Sequence, residues 1–394
     1  MSDLLSRRHL ILGSAGLVAV TQSGRSERAF AAPQDALGKE IDFLTTDPAR
    51  NGQPALDQLV RSWITPTKHF YVRSHAPNPE LDAAEFRLKV EGGVRKPASF
   101  SLAELKDRFP SHTITATLTC AGNRRAEFNE EGKVGGVQWG AGAIGNATWT
   151  GVALADVLAA CEPTEGARHT WFEGLDQIQR DNGVIPFGGS VPMEKATMTG
   201  KVPGTLLAYE MNGEPLTPDH GFPLRTVVPG YIGARSVKWL GKILVSDRPS
   251  PNHYLATAYK IVKKTEAIDW TESGPIYRYP INGAIATPTS GMAVSPGSVD
   301  VTGYVLPSGR AGSRPRSVMI KTDNQTKWVR AKLTGKNADY CWQLWKATMN
   351  VQKETTKLIL RAGDTSGDFM PVRVPWNAKG YLQNSWFELP IQVG

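Results

Sequence analysis

Apolar and polar positions alternate in short runs along most of this chain, which predicts strands more often than helices. In residues 112–120, Ile114, Ala116 and Leu118 alternate with threonines, a two-residue period that is typical of a half-buried strand. Similar runs predict further strands in KHFYVRSH, EFRLKVEGGV, WFEGLD, TLLAYEMNG, LRTVVPG and SVKWLGKILV. Helical spacing is confined to PALDQLVRSW, SLAELKDRF (which begins with a serine cap) and LADVLAA. This part of the chain is therefore predicted to be a mixed α+β domain.

The pattern changes near residues 271–280, beyond which helical spacing almost vanishes. Short apolar runs recur there between clusters of Gly, Asn, Asp and Pro, in SVDVTGYV, RSVMIKT, KWVRAKL, YCWQLWKAT, KLILRAGD and SWFELPIQV. About seven strands in roughly 120 residues are typical of a β-sandwich. The sequence therefore predicts a second, all-β domain over residues 273–394, and the chain length agrees with two domains.

The first 31 residues have the pattern of an export signal and are set apart from the fold. The pair Arg7-Arg8 precedes an apolar run through Val20, and AFA at 29–31 has the form of a cleavage site. SRRHL at 6–10 resembles a bacterial twin-arginine signal, with an ordinary secretory signal as the alternative. No later apolar run approaches the roughly 18–20 residues of a membrane span. The sequence therefore predicts a periplasmic protein that is exported by the twin-arginine route and has no membrane span.

The net charge narrows the choice of partners only a little. A charge of +8 and a pI near 9.3 would suit a nucleic-acid partner. The basic residues are interleaved with acidic ones, however, and no run of Lys and Arg reaches five residues. A small anionic substrate or an acidic protein partner fits this charge as well, and no nucleic-acid partner is predicted.

One motif matches a dinucleotide-binding fingerprint in letters alone. GAGAIG at 140–145 satisfies G-x-G-x-x-G, but NATWTG follows it and cannot open the helix that such a site requires. The sequence contains no G-x-x-x-x-G-K-[ST], no H-E-x-x-H and no G-x-S-x-G. The sequence therefore lacks the usual motifs of nucleotide hydrolases, zinc proteases and serine hydrolases.

Cys120 lies in the most informative stretch of the chain, TLTCAGNRRAEFNE at 117–130. A strand that ends at this cysteine and a flexible AGN segment after it would expose the sulfur, and Arg124 and Arg125 would supply positive charge. Such surroundings favour a thiolate, which is the form that a nucleophile or a soft-metal ligand must take. The residues alone also allow a buried structural cysteine beside two surface arginines. The three cysteines of the chain are widely spaced and form no C-x-x-C, so they predict neither a zinc site nor a disulfide framework.

The segment around Cys120 resembles the active-site segment of the sulfite oxidase family of molybdenum enzymes. The resemblance is carried, in chain order, by FYVRSH (70–75), CAGNRR (120–125), FEGLD (172–176), AYEMNG (208–213), DHGFPLR (219–225) and PGYIGARSVKWLG (229–241), and by WN, G and NSW between residues 376 and 386. It implies an N-terminal segment at 32–67, a molybdopterin-binding catalytic domain at 68–272, and an immunoglobulin-like β-sandwich at 273–394 that pairs two subunits.

The resemblance also implies roles at the metal and at the substrate. Cys120 is expected to be the thiolate ligand of molybdenum, and Arg73 and Arg125 are expected to bind sulfite, because an arginine fork suits an oxyanion. Tyr259 is expected to hydrogen-bond to the metal's oxo group or to the substrate. Arg124 is left undecided between the site and the surface. The family also brings a basic group from its second domain, for which the sequence offers only the segment QLWK at 343–346.

A second group of residues matches family positions that hold the pterin. Cations and backbone N–H groups suit its phosphate, and an acid suits its ring nitrogens. The expected cofactor-binding residues are Tyr71, His75, Asp176, His220, Arg225, Ser236, Val237 and Lys238.

The function implied is that of a periplasmic sulfite dehydrogenase. It would oxidise sulfite to sulfate by oxygen-atom transfer at a molybdenum–molybdopterin centre. The sequence has no C-x-x-C-H haem attachment site, so the expected electron acceptor is an external c-type cytochrome. Two alternatives remain open: another molybdopterin oxidoreductase that reduces sulfoxides or other oxyanions, and a non-enzymatic β-sandwich binding protein.

Overall fold

Strands dominate residues 37–263 and 273–394, which the computed structural model describes. The predicted export signal at 1–31 and the predicted domain boundary at 272 lie outside these residues. The strands of the first half are β1 (Asp42–Thr45), β2 (Asn51–Gln53), β3 (Val72–Arg73), β4 (Leu88–Gly92), β5 (Ala98–Phe100), β6 (Ser111–Thr119), β7 (Ile144–Ala153), β8 (His169–Gly174), β9 (Ile178–Arg180), β10 (Gly183–Ile185), β11 (Gly188–Pro192), β12 (Leu206–Met211), β13 (Glu214–Pro215), β14 (Arg225–Val227) and β15 (Leu240–Ser246).

The helices of the first half are all short. They are α1 (Leu56–Leu59), α2 (Leu102–Arg108), α3 (Leu154–Cys161), α4 (Met193–Thr197) and α5 (His253–Ala256), with 3-10 turns at Thr67–His69, Arg125–Glu130, Pro218–His220 and Gly233–Arg235. The predicted serine cap of α2 is confirmed: Ser101 Oγ accepts from the Glu104 N–H at 3.1 Å, and the Ser101 N–H donates to Glu104 Oε2 at 2.7 Å. None of the described helices could cross a membrane.

Two five-stranded sheets build the first half. One has the order β11-β8-β15-β4-β5, and the other has the order β13-β12-β7-β6 with β14 beside β12. Within the first sheet, β15 pairs with β4 in parallel and with β8 antiparallel. Phe172 and Ile243 of the first sheet share one buried core with Val152 and Leu207 of the second. This packing holds the strand ends of both sheets, where the site lies, in fixed relative positions.

Burial along β6, the strand that leads to Cys120, follows the two-residue period only in part. Ile114, Ala116 and Leu118 are buried in β6, as the alternation predicts. Thr117 is also fully buried. Its polar groups are paired there, since its N–H donates to Tyr340 O at 3.0 Å and its hydroxyl accepts from the Trp342 N–H at 2.9 Å. The end of this strand is therefore covered on both faces, since the second half of the chain packs against it.

The second half is a sandwich of two four-stranded sheets. Its strands are β16 (Asn282–Thr287), β17 (Ala293–Val294), β18 (Gly297–Leu306), β19 (Pro315–Thr322), β20 (Val329–Arg330), β21 (Lys332–Thr334), β22 (Gln343–Val351), β23 (Lys357–Asp364), β24 (Phe387–Pro390) and β25 (Gln392–Val393). The sheets have the orders β16-β18-β22-β21 and β20-β19-β23-β24. Val305 and Trp345 of one sheet share a buried core with Ile320 and Leu360 of the other. The predicted β-sandwich is confirmed, and its immunoglobulin type stays a prediction.

Some local predictions were wrong or incomplete. KHFYVRSH forms only the two-residue strand β3 after a 3-10 turn, because its pairing partner is the short strand β2. GAGAIG at 140–145 runs into β7, so no helix follows it and it has no dinucleotide-binding geometry. The sequence did not predict the strands β1, β2, β5, β7, β9 to β11, β13, β16 and β17.

Candidate active site

One pocket collects most of the residues that the sequence singled out. It lies where strands end: Arg73 ends β3, Cys120 follows β6, Asp176 follows β8 and Lys238 precedes β15. Its lining contains Tyr71, Arg73, His75, Cys120, Asp176, His220, Arg225, Ser236, Lys238 and Tyr259. Arg125 and Val237 are outside this lining. Residues that are up to about 190 positions apart in sequence are thus neighbours in space.

Cys120 presents its thiol from a tight turn at the end of β6. Its N–H donates to Ala143 O at 2.9 Å, its carbonyl accepts from the Asn123 N–H at 3.0 Å, and its Sγ accepts from the Gly122 N–H at 3.4 Å. A Cβ at Gly122 would lie 2.5 Å from Arg125 Nη2, so only glycine fits between the cysteine and this arginine. The turn therefore fixes the sulfur at the pocket wall.

Arg73 is held from several directions beside Cys120. Its Nη1 donates to Asn51 Oδ1 at 3.0 Å and to the carbonyl of Ser74, and its Nη2 donates to His75 Nε2 at 2.8 Å. Because a guanidinium can only donate, His75 Nε2 must be an acceptor and the imidazole is neutral. These contacts use some of the N–H donors of the guanidinium. The other donors can face the pocket, which Arg73 lines.

His75 and Tyr259 are adjacent neutral groups of the same wall. Burial, followed by the charges of Arg73 and Lys238, holds the pKa of His75 well below its ordinary value. The Tyr259 hydroxyl is 3.2 Å from His75 Nε2, and burial raises the pKa of this phenol. At neutral pH Tyr259 is therefore a hydrogen-bonding group that keeps its proton.

Arg225 and Lys238 are cations in this pocket, and neither forms an ion pair with any residue that the structure describes. Arg225 donates to the carbonyls of Thr226, His220 and Ser236, and burial lowers its pKa to about 10. Lys238 Nζ donates to Ser74 Oγ at 2.7 Å and to Asp219 O at 2.9 Å, and burial lowers its pKa to about 7. The carboxylates of Asp219 and Asp176 partly offset the charge of Lys238 from beyond ion-pair distance. Buried positive charge that is not directly paired is costly, so the pocket suits an anionic ligand.

His220 lines the pocket and is in contact with a buried lysine that the sequence did not indicate. His220 was predicted, and burial lowers its pKa well below the ordinary value. Lys39, whose Nζ is 2.6 Å from His220 Nε2 and which is 2% exposed, was missed. A single lysine in an irregular segment, 181 positions from its histidine partner, has no signal in the sequence.

The remaining predicted cofactor residues differ in what they can offer a ligand. Asp176 Oδ1 accepts from the Phe187 N–H at 2.9 Å, and burial raises its pKa. The N–H groups of Ser236 and Val237 are already used, since they donate to Gly233 O at 3.0 Å and to Thr226 Oγ1 at 2.7 Å. Ser236 lines the pocket beside Tyr71, whose pKa is raised by burial, whereas Val237 is packed in the core. Their cofactor roles stay predictions.

The two arginines after Cys120 point in different directions. Arg125 lies behind the cysteine turn, where it donates to Lys379 O and to Val137 O, each at 2.9 Å. Its guanidinium is 5.1 Å from the ring centre of Tyr381, which stacks on Tyr259 at 5.2 Å. The second half thus reaches the pocket region through residues 379–381 and not through QLWK, which does not line it. Arg125 can influence the pocket through its charge, and its substrate contact stays a prediction.

Arg124 turns away from the pocket and joins the two halves of the chain. It is fully buried, pairs with both carboxylate oxygens of Glu127 at 2.7 Å, and donates to Asn282 Oδ1 at 3.0 Å and to Ser385 O at 2.9 Å. The undecided status of this residue is thereby resolved in favour of a structural role.

Comparisons with known proteins agree with this arrangement. The model of the oxidoreductase molybdopterin binding domain matches residues 75–254, and the model of the Mo-co oxidoreductase dimerisation domain matches residues 273–394. The chain is 38% identical to sulfite oxidase of Gallus gallus, over 85% of this chain and 74% of that protein. It is 36% identical to sulfite oxidase of Arabidopsis thaliana, over 87% of this chain and 92% of that protein. The chain belongs to the sulfite oxidase family.

One solved structure shares the fold of this chain. The sulfane dehydrogenase SoxCD from Paracoccus pantotrophus superposes with a TM-score of 0.74 at 24% sequence identity, covering 89% of this chain and 88% of that chain. As a member of the sulfite oxidase family, the protein is a molybdenum-dependent oxidoreductase with a molybdopterin cofactor. The alternative of a non-enzymatic β-sandwich binding protein is therefore wrong.

The pocket fits the molybdenum–pterin cofactor of the sulfite oxidase family by the chemistry of its donors. Cys120 supplies one soft sulfur ligand, and Arg225 and Lys238 supply positive charge for an anionic phosphate. In residues 37–263 and 273–394, no three His, Cys, Asp or Glu side chains come together as a metal site. A metal at Cys120 would therefore take its other ligands from the cofactor, which is what a pyranopterin dithiolene provides.

A first prediction concerns Arg124 and the stability of this family member's two-domain structure. Arg124→Met is expected to lower the free energy of unfolding by about 2–3 kcal/mol, because the buried acceptors in the second half lose a charged donor, whereas Glu127, whose side chain is 34% exposed, can be solvated by water. Denaturant unfolding monitored by tryptophan fluorescence measures this change. The exposed Arg95, changed to Met, is the control. A loss below about 1 kcal/mol would show that this buried network contributes little.

A second prediction uses Lys238, whose pKa of about 7 is lowered by burial. As the pH falls through about 7, the amine gains its proton in the folded protein, so the pocket becomes more positive. Cofactor-free protein is therefore expected to bind sulfate, which stays a dianion, more tightly at about pH 6 than at about pH 8. Calorimetric titration at both pH values measures the difference, and Lys238→Met is expected to remove it. Equal affinities in the wild-type protein would contradict the lowered pKa.

Proposed function

We propose that this protein oxidises sulfite to sulfate at the molybdenum–pterin centre bound at Cys120 and passes the electrons to a separate protein. The observation that carries the proposal is the position of Arg73, which is fixed in the same pocket as the only thiol of its lining. The names of the relatives support sulfite as the substrate, because two of them are sulfite oxidases.

The residues of the pocket would divide the work between them. Overall, sulfite and water become sulfate, two protons and two electrons, and the bound cofactor supplies the oxygen-atom transfer and stores the electrons. Arg73 would bind the oxyanion through the part of its guanidinium that faces the pocket and keep it near Cys120. Tyr259 would donate or accept a hydrogen bond as a neutral phenol, since burial raises its pKa. Arg125 would add positive charge from behind the cysteine turn.

The acceptor and the location are part of the same proposal. A periplasmic c-type cytochrome would receive the electrons one at a time, after the protein has been exported through the twin-arginine route. The pair Arg7-Arg8 ahead of an apolar run supports the export, and the excess of positive charge suits an acidic partner surface. A homodimer formed through residues 273–394 would agree with the description of the family model that matches them.

The test combines metal analysis with turnover. Protein purified from a host that supplies the cofactor is expected to contain about one molybdenum per chain and to reduce cytochrome c only when sulfite is present. Molybdenum without sulfite turnover would overturn the proposed reaction and favour another oxyanion, or the reduction of a sulfoxide. Location is tested separately by cell fractionation. The chain with its own first 31 residues is expected in the periplasm. The variant in which Arg7 and Arg8 are both changed to Lys is expected to stay in the cytoplasm.

A further inference from the structure

Residues 39–53, which we call the N-terminal strap, contact residues that line the pocket, although they precede the matched molybdopterin-binding model, which begins at residue 75. The strap contains β1 and β2 and reaches the pocket residues at three points, through Lys39, Arg50 and Asn51. The sequence placed this region in the N-terminal segment at 32–67 and assigned no site residue to it. The contacts show that it supports three lining residues, His220, Asp219 and Arg73, from outside the lining.

Lys39 connects the strap to His220 and to the segment ahead of Tyr71. It is 2% exposed, and its Nζ donates to Thr67 O at 2.5 Å, to Phe70 O at 2.8 Å and to His220 Nε2 at 2.6 Å. An ammonium group can only donate hydrogen bonds, so each of these three atoms is an acceptor. A buried lysine with such partners is held in one geometry. Most lysines are exposed and solvated, so this one has a structural role.

The consequence for His220 is a fixed protonation state. Because an ammonium group can only donate, Nε2 of the ring is the acceptor and the ring proton lies on Nδ1. Burial lowers the pKa of His220 well below its ordinary value, and the charge of Lys39 lowers it further. The ring also packs edge-on against Phe70, with centres 5.4 Å apart. Lys39 thus determines both the tautomer and the orientation of His220.

Asn51 has the corresponding relation to Arg73. Its Oδ1 accepts from Arg73 Nη1 at 3.0 Å and from the Ser74 N–H at 3.1 Å, while its Nδ2 donates to Thr45 Oγ1 at 2.9 Å and to Ala49 O at 3.1 Å. The amide is 3% exposed and is bonded at both ends, so it cannot rotate without losing several hydrogen bonds. It therefore sets where the guanidinium of Arg73 lies.

Arg50 makes the third contact between the N-terminal strap and a residue that lines the pocket, Asp219. Its guanidinium pairs with Asp219 through Nε to Oδ1 at 3.0 Å and Nη2 to Oδ2 at 3.1 Å, and Asp219 directly precedes His220. Asp219 is 1% exposed, whereas Arg50 is about a quarter exposed. This two-point pair anchors the strap between Lys39 and Asn51.

We infer that Lys39 and Asn51 are positioning residues of this active site: Lys39 orients His220 for the cofactor, and Asn51 orients Arg73 for the substrate anion. The Asn51 half rests on the proposed sulfite oxidation, since it assigns a substrate to Arg73. The Lys39 half concerns only the cofactor, which the family already requires.

The Lys39 half is tested by counting cofactor. Lys39→Met is expected to retain about tenfold less molybdenum and pterin per folded chain after dialysis than the wild type, because removing the hydrogen-bond partner that orients a binding residue typically weakens binding by about such a factor. Lys39→Arg, which keeps a buried donor, is expected to restore most of the cofactor. Lys68→Met is the control, since Lys68 is 48% exposed and pairs with Glu40 on the surface. Full cofactor content in folded Lys39→Met would overturn this half.

The Asn51 half is tested by steady-state kinetics of the loaded enzyme. Asn51→Ala is expected to raise the KM for sulfite about tenfold, to change kcat less than about threefold and to leave the molybdenum content unchanged. Asn324→Ala, which removes an exposed amide with hydrogen bonds in the second half, is the control. An unchanged KM would overturn this half. If the loaded wild type does not oxidise sulfite, the proposed function and this half both fail, whereas the cofactor count still decides the Lys39 half.

Discussion

Replacing Cys120 with serine is expected to lower sulfite turnover by more than about 100-fold. Removing a residue that only hydrogen-bonds to a metal ligand typically lowers activity by about 10- to 100-fold, so the loss of the ligand itself should lower it at least as much. A serine hydroxyl is not ionised at neutral pH and is a hard donor, whereas molybdenum at this position requires a soft thiolate. Cys120 is the only cysteine among the described residues that line the pocket, so no other thiol there can substitute for it.

The measurement is sulfite-dependent reduction of cytochrome c, together with molybdenum content and the absorption spectrum of the metal centre. Cys341→Ser is the matched control, because this buried thiol donates to Thr115 O at 3.3 Å and a serine hydroxyl can make the same hydrogen bond. The control is expected to keep its turnover. Undiminished turnover in Cys120→Ser would remove Cys120 from the metal site.

Replacing Arg73 with glutamine is expected to lower kcat/KM for sulfite by about 10- to 100-fold, mainly through KM. A hydrogen bond to a charged group contributes about 1.5–3 kcal/mol, and Arg73 is a charged donor in the lining that also contains Cys120. The neutral amide of glutamine also loses the contact between Arg73 Nη2 and His75 Nε2, so part of the effect can come from a displaced His75. The molybdenum content is expected to stay close to that of the wild type.

The same assay on Arg125→Gln decides the predicted role of Arg125. Its guanidinium donates to two backbone carbonyls and lies outside the pocket lining, so it could act on the substrate through charge alone. A raised KM with retained cofactor would support a substrate role, and an unchanged KM would reject it. Arg95→Gln is the control for both variants, because Arg95 is exposed. Equal kcat/KM in Arg73→Gln and the wild type would contradict the proposed oxyanion site.

Local patterns predicted those parts of the fold whose structure depends on near neighbours. The capping box of α2 and the alternation in β6 were readable because each is set within a few residues. KHFYVRSH was misread because a strand requires a pairing partner, and β3 has only the short β2 beside it. The strand β7 was missed because its residues are buried on both faces and show no clean alternation.

The resemblance to the family located Cys120, Arg73 and the histidines in sequence, but it did not provide their contacts. Arg124 and Arg125 are adjacent and chemically identical, yet one joins the two halves and the other packs behind the cysteine turn. Val237 lies next to two pocket residues and is itself in the core, since neighbouring residues of an extended segment face opposite sides. Such differences depend on the surrounding packing and not on the residue type.

The sequence by itself determined the α+β and all-β halves, the thiol at the end of a strand and the excess of basic residues. Only the tertiary structure decided which of these groups are charged and where they point. Lys39 meets His220 across 181 residues, Asn51 meets Arg73 across 22, and burial makes His75 and His220 neutral. The physical reason is that protonation and side-chain direction depend on desolvation and on hydrogen-bond partners, which arise only when distant segments pack together.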